Sequence, residues 1–250
     1  MKRHFWGLMV CLLVAGFSQE VRAADALDVV KKAIKANGGK ANIEKYKAAT
    51  LQGSGKVSSM GAMLEYTATW HFDYPKRMRV EINTDVMGQE FNIIHVYDGK
   101  QGWQKIANMK AMPLPEAQLK ALKTQMQVEL ASTLVPLLDT KKYTVSNLGE
   151  VKVNGKNAIG LNVTNKSGLD ANFYFDPKTF LLIKQEYQSV NETGKEVTQS
   201  VLLSGYKKTK GIPYPTKLQV LQDGKLYVTA EFTEVELKEK HDDSLFKKPE

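Results

Sequence analysis

The chain has 250 residues, 42% of them hydrophobic and 25% charged, with a formal net charge of +8. That apolar share is enough to bury a core and excludes a generally disordered chain, while 18 glycines and 8 prolines are too few for a collagen-like or low-complexity sequence. A mean hydropathy of −0.35 excludes a protein of several membrane-spanning helices. The first predicted element is a leader. Lys2, Arg3 and His4 precede an uncharged, mostly apolar run over 5–17, and a polar stretch places Val21 and Ala23 at the −3 and −1 positions. This is the pattern of a secretory signal peptide, residues 1–23, cleaved after Ala23; the apolar run falls short of the roughly 20 residues that span a bilayer. Cys11, the only cysteine, follows Leu8-Met9-Val10 rather than the small residues that precede a lipid-attachment cysteine, so a soluble product is expected.

Residues 24–250 are then free of cysteine, and an export signal on such a chain points to the bacterial periplasm. Of the 35 basic and 27 acidic residues, removing Lys2, Arg3, Arg22 and Glu20 leaves 32 and 26, a charge of +6. Arg77 and Arg79 are the only arginines left, a poor supply for base or phosphate recognition, and no nucleic-acid partner is expected. An isoelectric point near 9.3 suits contact with anionic lipid headgroups, or simply a lysine-rich solvated surface.

A first helix is predicted over 25–36, with Leu27, Val30 and Ile34 at helical spacing and Asn37-Gly38-Gly39 as its stop; a short turn over 41–46 follows. Alternation then dominates. Over 62–74, Leu64, Tyr66, Ala68, Trp70, Phe72 and Tyr74 point one way and Glu65, Thr67, Thr69, His71 and Asp73 the other, which makes a long strand with one buried face. After a turn at Tyr74-Pro75, Met78, Val80 and Ile82 alternate with Arg77, Arg79 and Glu81. A third strand over 90–97 ends at Asp98-Gly99, a tight-turn pair, before Trp103.

The stretch 115–134 breaks this rhythm. Leu119, Leu122, Met126, Leu130 and Leu134 recur at helical intervals, Pro115 suits a first turn, Pro136 an end, and Lys120, Lys123, Gln127 and Glu129 are assigned to other faces. Strands resume over 159–164, 173–175, 181–190, 196–204, 216–221 and 225–237, with turns at 191–194 and Asp223-Gly224, and no proline falls inside a predicted strand. With no repeat and no linker, the expected architecture is mainly β: one highly curved antiparallel sheet of about ten or eleven strands, which must curl or close, with an N-terminal helix and a mid-chain helix in a single domain, 24–250.

The order of these elements, with Tyr74-Pro75, Asp98-Gly99-Lys100-Gln101-Gly102-Trp103, and Asp242-Asp243-Ser244-Leu245-Phe246-Lys247-Lys248-Pro249 at the end, resembles the LolA/LolB-like periplasmic lipoprotein carriers; Gly211-Ile212-Pro213-Tyr214-Pro215 is similar to the broader outer-membrane lipoprotein-sorting proteins. The resemblance implies an open half-barrel with helices as a lid and an apolar concave cavity for the acyl chains of lipoproteins or another lipid. It implies inner- and outer-membrane transfer complexes as partners and a monomer. The family's archetype carries an arginine, part of its lid latch, where this chain has Tyr74.

Physical magnitudes agree with an amphiphile carrier. Burying an acyl chain yields about 0.8 kcal/mol per methylene, on the order of 12 kcal/mol for sixteen carbons. The apolar side chains of the mid-chain helix, at roughly 1.5 to 3 kcal/mol each, give about 8 to 15 kcal/mol on docking. The helix is therefore expected either to plug the cavity until cargo displaces it, through Leu119, Leu122, Met126 and Leu130, or to be a fixed core element. The expected cavity residues are Leu64, Tyr66, Trp70, Phe72, Met78, Val80 and Trp103. Seven of the 9 methionines lie between residues 60 and 126, a side chain adaptable to irregular ligands and equally to ordinary core filling.

Catalytic patterns are poor. Beyond the leader only His71, His95 and His241 occur, without zinc-ligand spacing, and no Gly-x-Ser-x-Gly elbow or phosphate-binding loop is present. No cofactor, metal or enzyme activity is expected. The alternatives to a carrier are an envelope sensor on the same fold and, behind it, an enzyme.

Overall fold

The alternation that fills the sequence produces one sheet built of two meanders. The structure, a computed structural model, describes residues 17–250 except Met60 and Pro75, with side chains described from Asp25 onward. The predicted leader thus lies outside the described residues but for its last helical backbone. The helix α1 runs Phe17–Ala36, starting earlier than predicted, and α2 is Lys40–Lys45. The first meander is β1 Ala48–Ser59, β2 Ala62–Asp73, β3 Arg77–Val86, β4 Gln89–Tyr97, β5 Gly102–Ile106 and β6 Met112–Pro113. After α3, Glu116–Ser132, and a 3₁₀ turn at Val135–Leu138, the second meander is β7 Tyr143–Val153, β8 Lys156–Asn165, β9 Asp170–Phe175, β10 Leu182–Val190 and β11 Glu196–Ser204. A small hairpin, β12 Lys207–Thr209 and β13 Ile212–Tyr214, interrupts it before β14 Lys217–Gln222 and β15 Lys225–Lys238.

Antiparallel pairing of β1 with β15 joins the meanders into a 13-stranded sheet, curved and not closed, with β6 at one edge and β7 at the other. The class is the expected one; the strand count is higher. Pro113 and Pro213 do lie in strands, but short ones, β6 at the sheet edge and β13 in the separate hairpin, where a missing donor is tolerated.

The register sorts side chains onto two faces. Ala49, Leu51, Gly53 and Gly55 of β1 lie beside Phe72, Trp70, Ala68 and Tyr66 of β2, which lie beside Met78, Val80, Ile82 and Thr84 of β3 and then Tyr97, His95, Ile93 and Phe91 of β4. Leu122 and Met126 of α3 pack on this face, so it is the helix-covered one. The chain leaves edge β6, crosses this face as α3, and re-enters the sheet at edge β7. The crossover explains why a helix interrupts the strands: the two edges are separated by the whole breadth of the sheet.

Two apolar clusters form beneath the helices. The larger joins Ala26, Val30 and Ala33 of α1 with Val128 and Ala131 of α3, Leu134 and Leu137, and Leu161, Phe173 and Phe175 of the second meander, all at most 1% exposed. Consecutive hydrogen bonds from Asn37 N to Ala33 O and Gly39 N to Ile34 O close α1, with Gly38 and Gly39 in the left-handed region as the predicted stop requires. The smaller cluster holds Tyr66, Ala68, Met78, Val80, Tyr97 and Leu114 of the first meander with Leu122 and Met126.

Candidate functional site

The helix-covered face of β1 to β4 is the apolar strip expected from the alternation. Tyr66, Met78 and Val80 are buried in the smaller cluster, and Trp70 and Phe72 pack against it while half-buried. Leu64 continues the strip, half-buried beside Val57. Trp70 stands edge-on to Tyr66 and to Phe232 of β15, with ring centroids 6.2 and 5.3 Å apart, and Phe72 stacks on Tyr74 at 5.6 Å. The Tyr66 hydroxyl, pushed up to about 12 by burial, donates to the Thr229 carbonyl at 2.9 Å.

Trp103 departs from the expectation. It pairs with Val96, which pairs with Arg79, so the register turns it to the outer face. Its neighbour Gly102 faces α3 instead. A Cβ there would come within 2.6 Å of Leu114 Cδ1 and 3.3 Å of Leu119 Cδ1, so the missing side chain seats the start of the crossover helix.

The helix α3 buries two sides. Leu119, Leu122 and Met126 lie on the first-meander strip, whereas Val128 and Ala131 lock its last turns into the larger cluster. Leu130 is half-buried and belongs to neither cluster. Helical geometry corrects the expected place of Glu129: seven residues after Leu122 and three after Met126, it shares their inward stripe. Burial pushes its carboxyl up to about 7, against a weaker opposing pull from Ser132, and its charge raises the hydroxyls of Tyr74 and Tyr187 beyond what burial alone does. Tyr74 thus feels a carboxyl carried by the crossover helix.

This places a pH dependence on the molecule. A raised carboxyl binds its proton in the folded state at pH values where the unfolded chain has lost it. Folded stability therefore falls as pH rises from about 4.5 to about 7 and levels off above, by up to about 3 kcal/mol. Glu129→Gln is expected to remove that fall and to be the more stable form at pH about 8, with little difference at pH about 4. Urea unfolding of both forms across this range measures it; parallel curves would contradict the burial of the carboxyl.

Sequence reasoning missed two further groups, Gln185 and Tyr187. Gln185 of β10 is 2% exposed and its Oε1 has no hydrogen-bond partner. Tyr187, two residues on and 4% exposed, accepts from Gln199 Nε2 at 2.6 Å. His95 Nε2 is likewise buried without a partner on the first-meander side, and burial lowers the pKa of that ring.

The outer face is polar. Side chains of Lys56, Glu65, Thr67, Asn83, Asn92 and Lys217 surround a hollow of about 1180 Å³ there. Lys56 pairs with Glu65 at 2.9 Å and Lys217 with Glu231 at 3.4 Å, so the hollow is balanced in charge and unsuited to an alkyl chain. The C-terminal segment also lies on this face. His71 Nδ1 and His241 Nε2 meet the Thr50 hydroxyl at 3.1 and 3.0 Å, and both rings are held below their ordinary pKa, first by burial. Among the described residues no group of three potential metal-ligating side chains occurs, and no helix is long and apolar enough to cross a membrane.

An open antiparallel sheet with a helix crossing between its edges over an apolar strip defines the LolA-like fold, and comparison with solved structures agrees. The chain is similar to a DUF1329 family protein from Desulfovibrio piger (13% identity, 89% of this chain and 97% of that one, TM-score 0.55) and to a LolA superfamily protein from Nitrosomonas europaea (13%, 89% and 97%, 0.57). It is also similar to a domain from Vibrio parahaemolyticus described as an outer membrane lipoprotein-sorting protein (11%, 90% and 97%, 0.53). No family model and no curated protein matches the sequence.

Proposed function

We propose that this chain is a periplasmic carrier that holds the acyl chain of a lipoprotein or another lipid against the helix-covered face of β1 to β4. The observation that carries this reading is the unequal anchoring of α3. Its last turns are fastened by Val128, Ala131, Leu134 and Leu137, while its first turns rest on the apolar strip through Leu119 and Leu122, on a seat opened by Gly102. Leu134, a non-glycine residue at φ 70°, marks the joint behind the anchored end. Swinging the first turns outward would bare Tyr66, Trp70, Phe72, Met78 and Val80 to an alkyl chain at little cost to the larger cluster. Residues 1–23 would export the chain, 24–250 would act as one domain and one protomer, and membrane complexes on either side would deliver and receive the cargo.

A fluorescent fatty-acyl probe tests the reading. The protein should bind it, and Trp70→Gln combined with Phe72→Asn should weaken binding by at least about tenfold, on the order of 1.4 kcal/mol, with unchanged circular dichroism. A wild-type chain that takes up no probe, or a folded double variant that binds as well as wild type, would overturn it.

A further inference from the structure

Three unusual polar groups lie on the two elements that pack together as α3 and β10: the Glu129 carboxyl on the inward stripe of the helix, the Tyr187 hydroxyl that its charge acts on, and the buried Gln185 amide, two residues from Tyr187 and so on the same face of the strand. Gln185 sits between Phe173 of β9 and Val201 of β11, both at most 5% exposed, so its Oε1 is an acceptor left unsatisfied in apolar surroundings. Leaving such a group without a partner costs about 1 to 3 kcal/mol, and a leucine there would avoid the cost. Packing alone does not call for an amide at this position. The place is also particular: its neighbours Phe173 and Val201 and nearby Tyr187 belong to the larger cluster, on the side where α3 packs on β10, and Glu129 follows Met126 of the smaller cluster by three residues along that helix.

We infer that these groups receive the polar end of the cargo, and that the ligand is an amphiphile whose first polar group is uncharged and carries a hydrogen-bond donor, a hydroxyl or an amide N–H. The inference rests on the carrier reading and adds the chemistry of the ligand's end. A donor on the ligand satisfies Gln185 Oε1, and its oxygen accepts from the Tyr187 hydroxyl or from a protonated Glu129. Among the described residues no lysine or arginine forms an ion pair with Glu129, so the site offers nothing to a phosphate or an ionised carboxylate. An ester presents acceptors only and leaves Gln185 unsatisfied, whereas a donor completes it.

Competition against the bound fluorescent acyl probe decides this, using dodecanol, dodecanamide and methyl dodecanoate, which share one chain length. The alcohol and the amide are expected to displace the probe about tenfold more effectively than the ester, the worth of one desolvated hydrogen bond. In Gln185→Leu, which removes the unsatisfied acceptor and should fold at least as stably, the three are expected to compete equally, with the ester no weaker than in wild type. Equal competition by all three on wild type would overturn the inference and leave the carrier reading standing. A preference that survives Gln185→Leu would overturn the assignment to this amide. Failure of the probe and every competitor to bind would overturn the carrier reading, and this with it.

Discussion

Replacing Phe246 with alanine is expected to lower the stability of the whole chain by about 3 to 5 kcal/mol, the usual cost of emptying a buried aromatic site. The residue lies near the C-terminus in sequence, yet it is 2% exposed. Asp242 accepts from Ser244 N at 2.8 Å and so starts the 3₁₀ turn Asp243–Phe246, which drops the ring onto the outer face of the first meander. The His241 ring stands edge-on to it at 5.8 Å, and the Arg77 guanidinium lies 4.6 Å from its centroid while bonding Asp73 and, at 2.7 Å, Asp243. Removing the ring takes away the apolar partner of that arginine and leaves its two carboxylates to hold a loose segment. Guanidinium unfolding gives the magnitude, and faster proteolysis within 239–250 gives the location. A loss below about 1 kcal/mol would mean that the segment is not part of the core. Because it lies on the face opposite α3, acyl-probe binding by the folded variant should stay within about twofold of wild type.

The same segment shows what could be read from the sequence. Asp-x-x-x-Phe-x-x-Pro was visible as a pattern, and its mechanism is a cap, a buried ring and a second anchor at Pro249, which is also buried. The long alternation of β2 sets both its faces because every second residue is large and apolar, and β3 and β4 follow it. Strand β1 was not legible: Gly53-Ser54-Gly55 carries almost no side-chain signal, although the strand joins the two meanders. Trp103 lies out of the expected phase for a related reason. The strand after Asp98-Gly99 begins at Gly102, and a glycine gives no sign that it is the inward residue, while the large tryptophan beside it faces outward. In α3 the leucine-methionine stripe was legible, but the burial of Val128 and Ala131 depends on α1 and the second meander, which no local period reports. Charged residues normally lie away from an apolar stripe, which is why Glu129 is expected on another face of the helix; only its spacing from Leu122 and Met126 places it inward.

The polar residues on the helix-covered side share a physical character. Gln185, Glu129 and His95 each contradict the apolar rule of the positions they occupy, and each lacks a partner or titrates abnormally in consequence. A fixed core helix would be better served by apolar residues at all three. On the proposed carrier reading their presence is what a face that exchanges contents requires, since groups awaiting a ligand are unsatisfied without it.

Gly55→Ala should be the other severe substitution, costing about 3 kcal/mol or more although it adds a single methyl group. A Cβ at Gly55 would lie 1.8 Å from the Thr229 carbonyl oxygen and 2.8 Å from the Tyr66 hydroxyl. The first of these is backbone of β15, so relief requires parting the one strand pair that unites the two meanders. The second is the group that donates to that same carbonyl at 2.9 Å, so the tyrosine must also leave its place on the apolar strip. Gly53 repeats the arrangement, its Cβ position 2.3 Å from the Glu231 carbonyl oxygen, where the register of β1 against β15 shifts. Two glycines thus let the aromatic side chains of β2 lie across β1, the same device by which an aromatic ring restores packing over a glycine in a strongly bent sheet. Ser54, between them and facing outward, provides the control: Ser54→Ala should change stability by no more than about 0.5 kcal/mol. Tyr66→Phe separates the two effects, because it loses the hydrogen bond, worth about 1 kcal/mol, and keeps the strand pair. If Gly55→Ala proved no worse than Tyr66→Phe by urea unfolding, the close approach of β1 and β15 would not exist, and the aromatic strip on which the proposed carrier depends would have lost its footing.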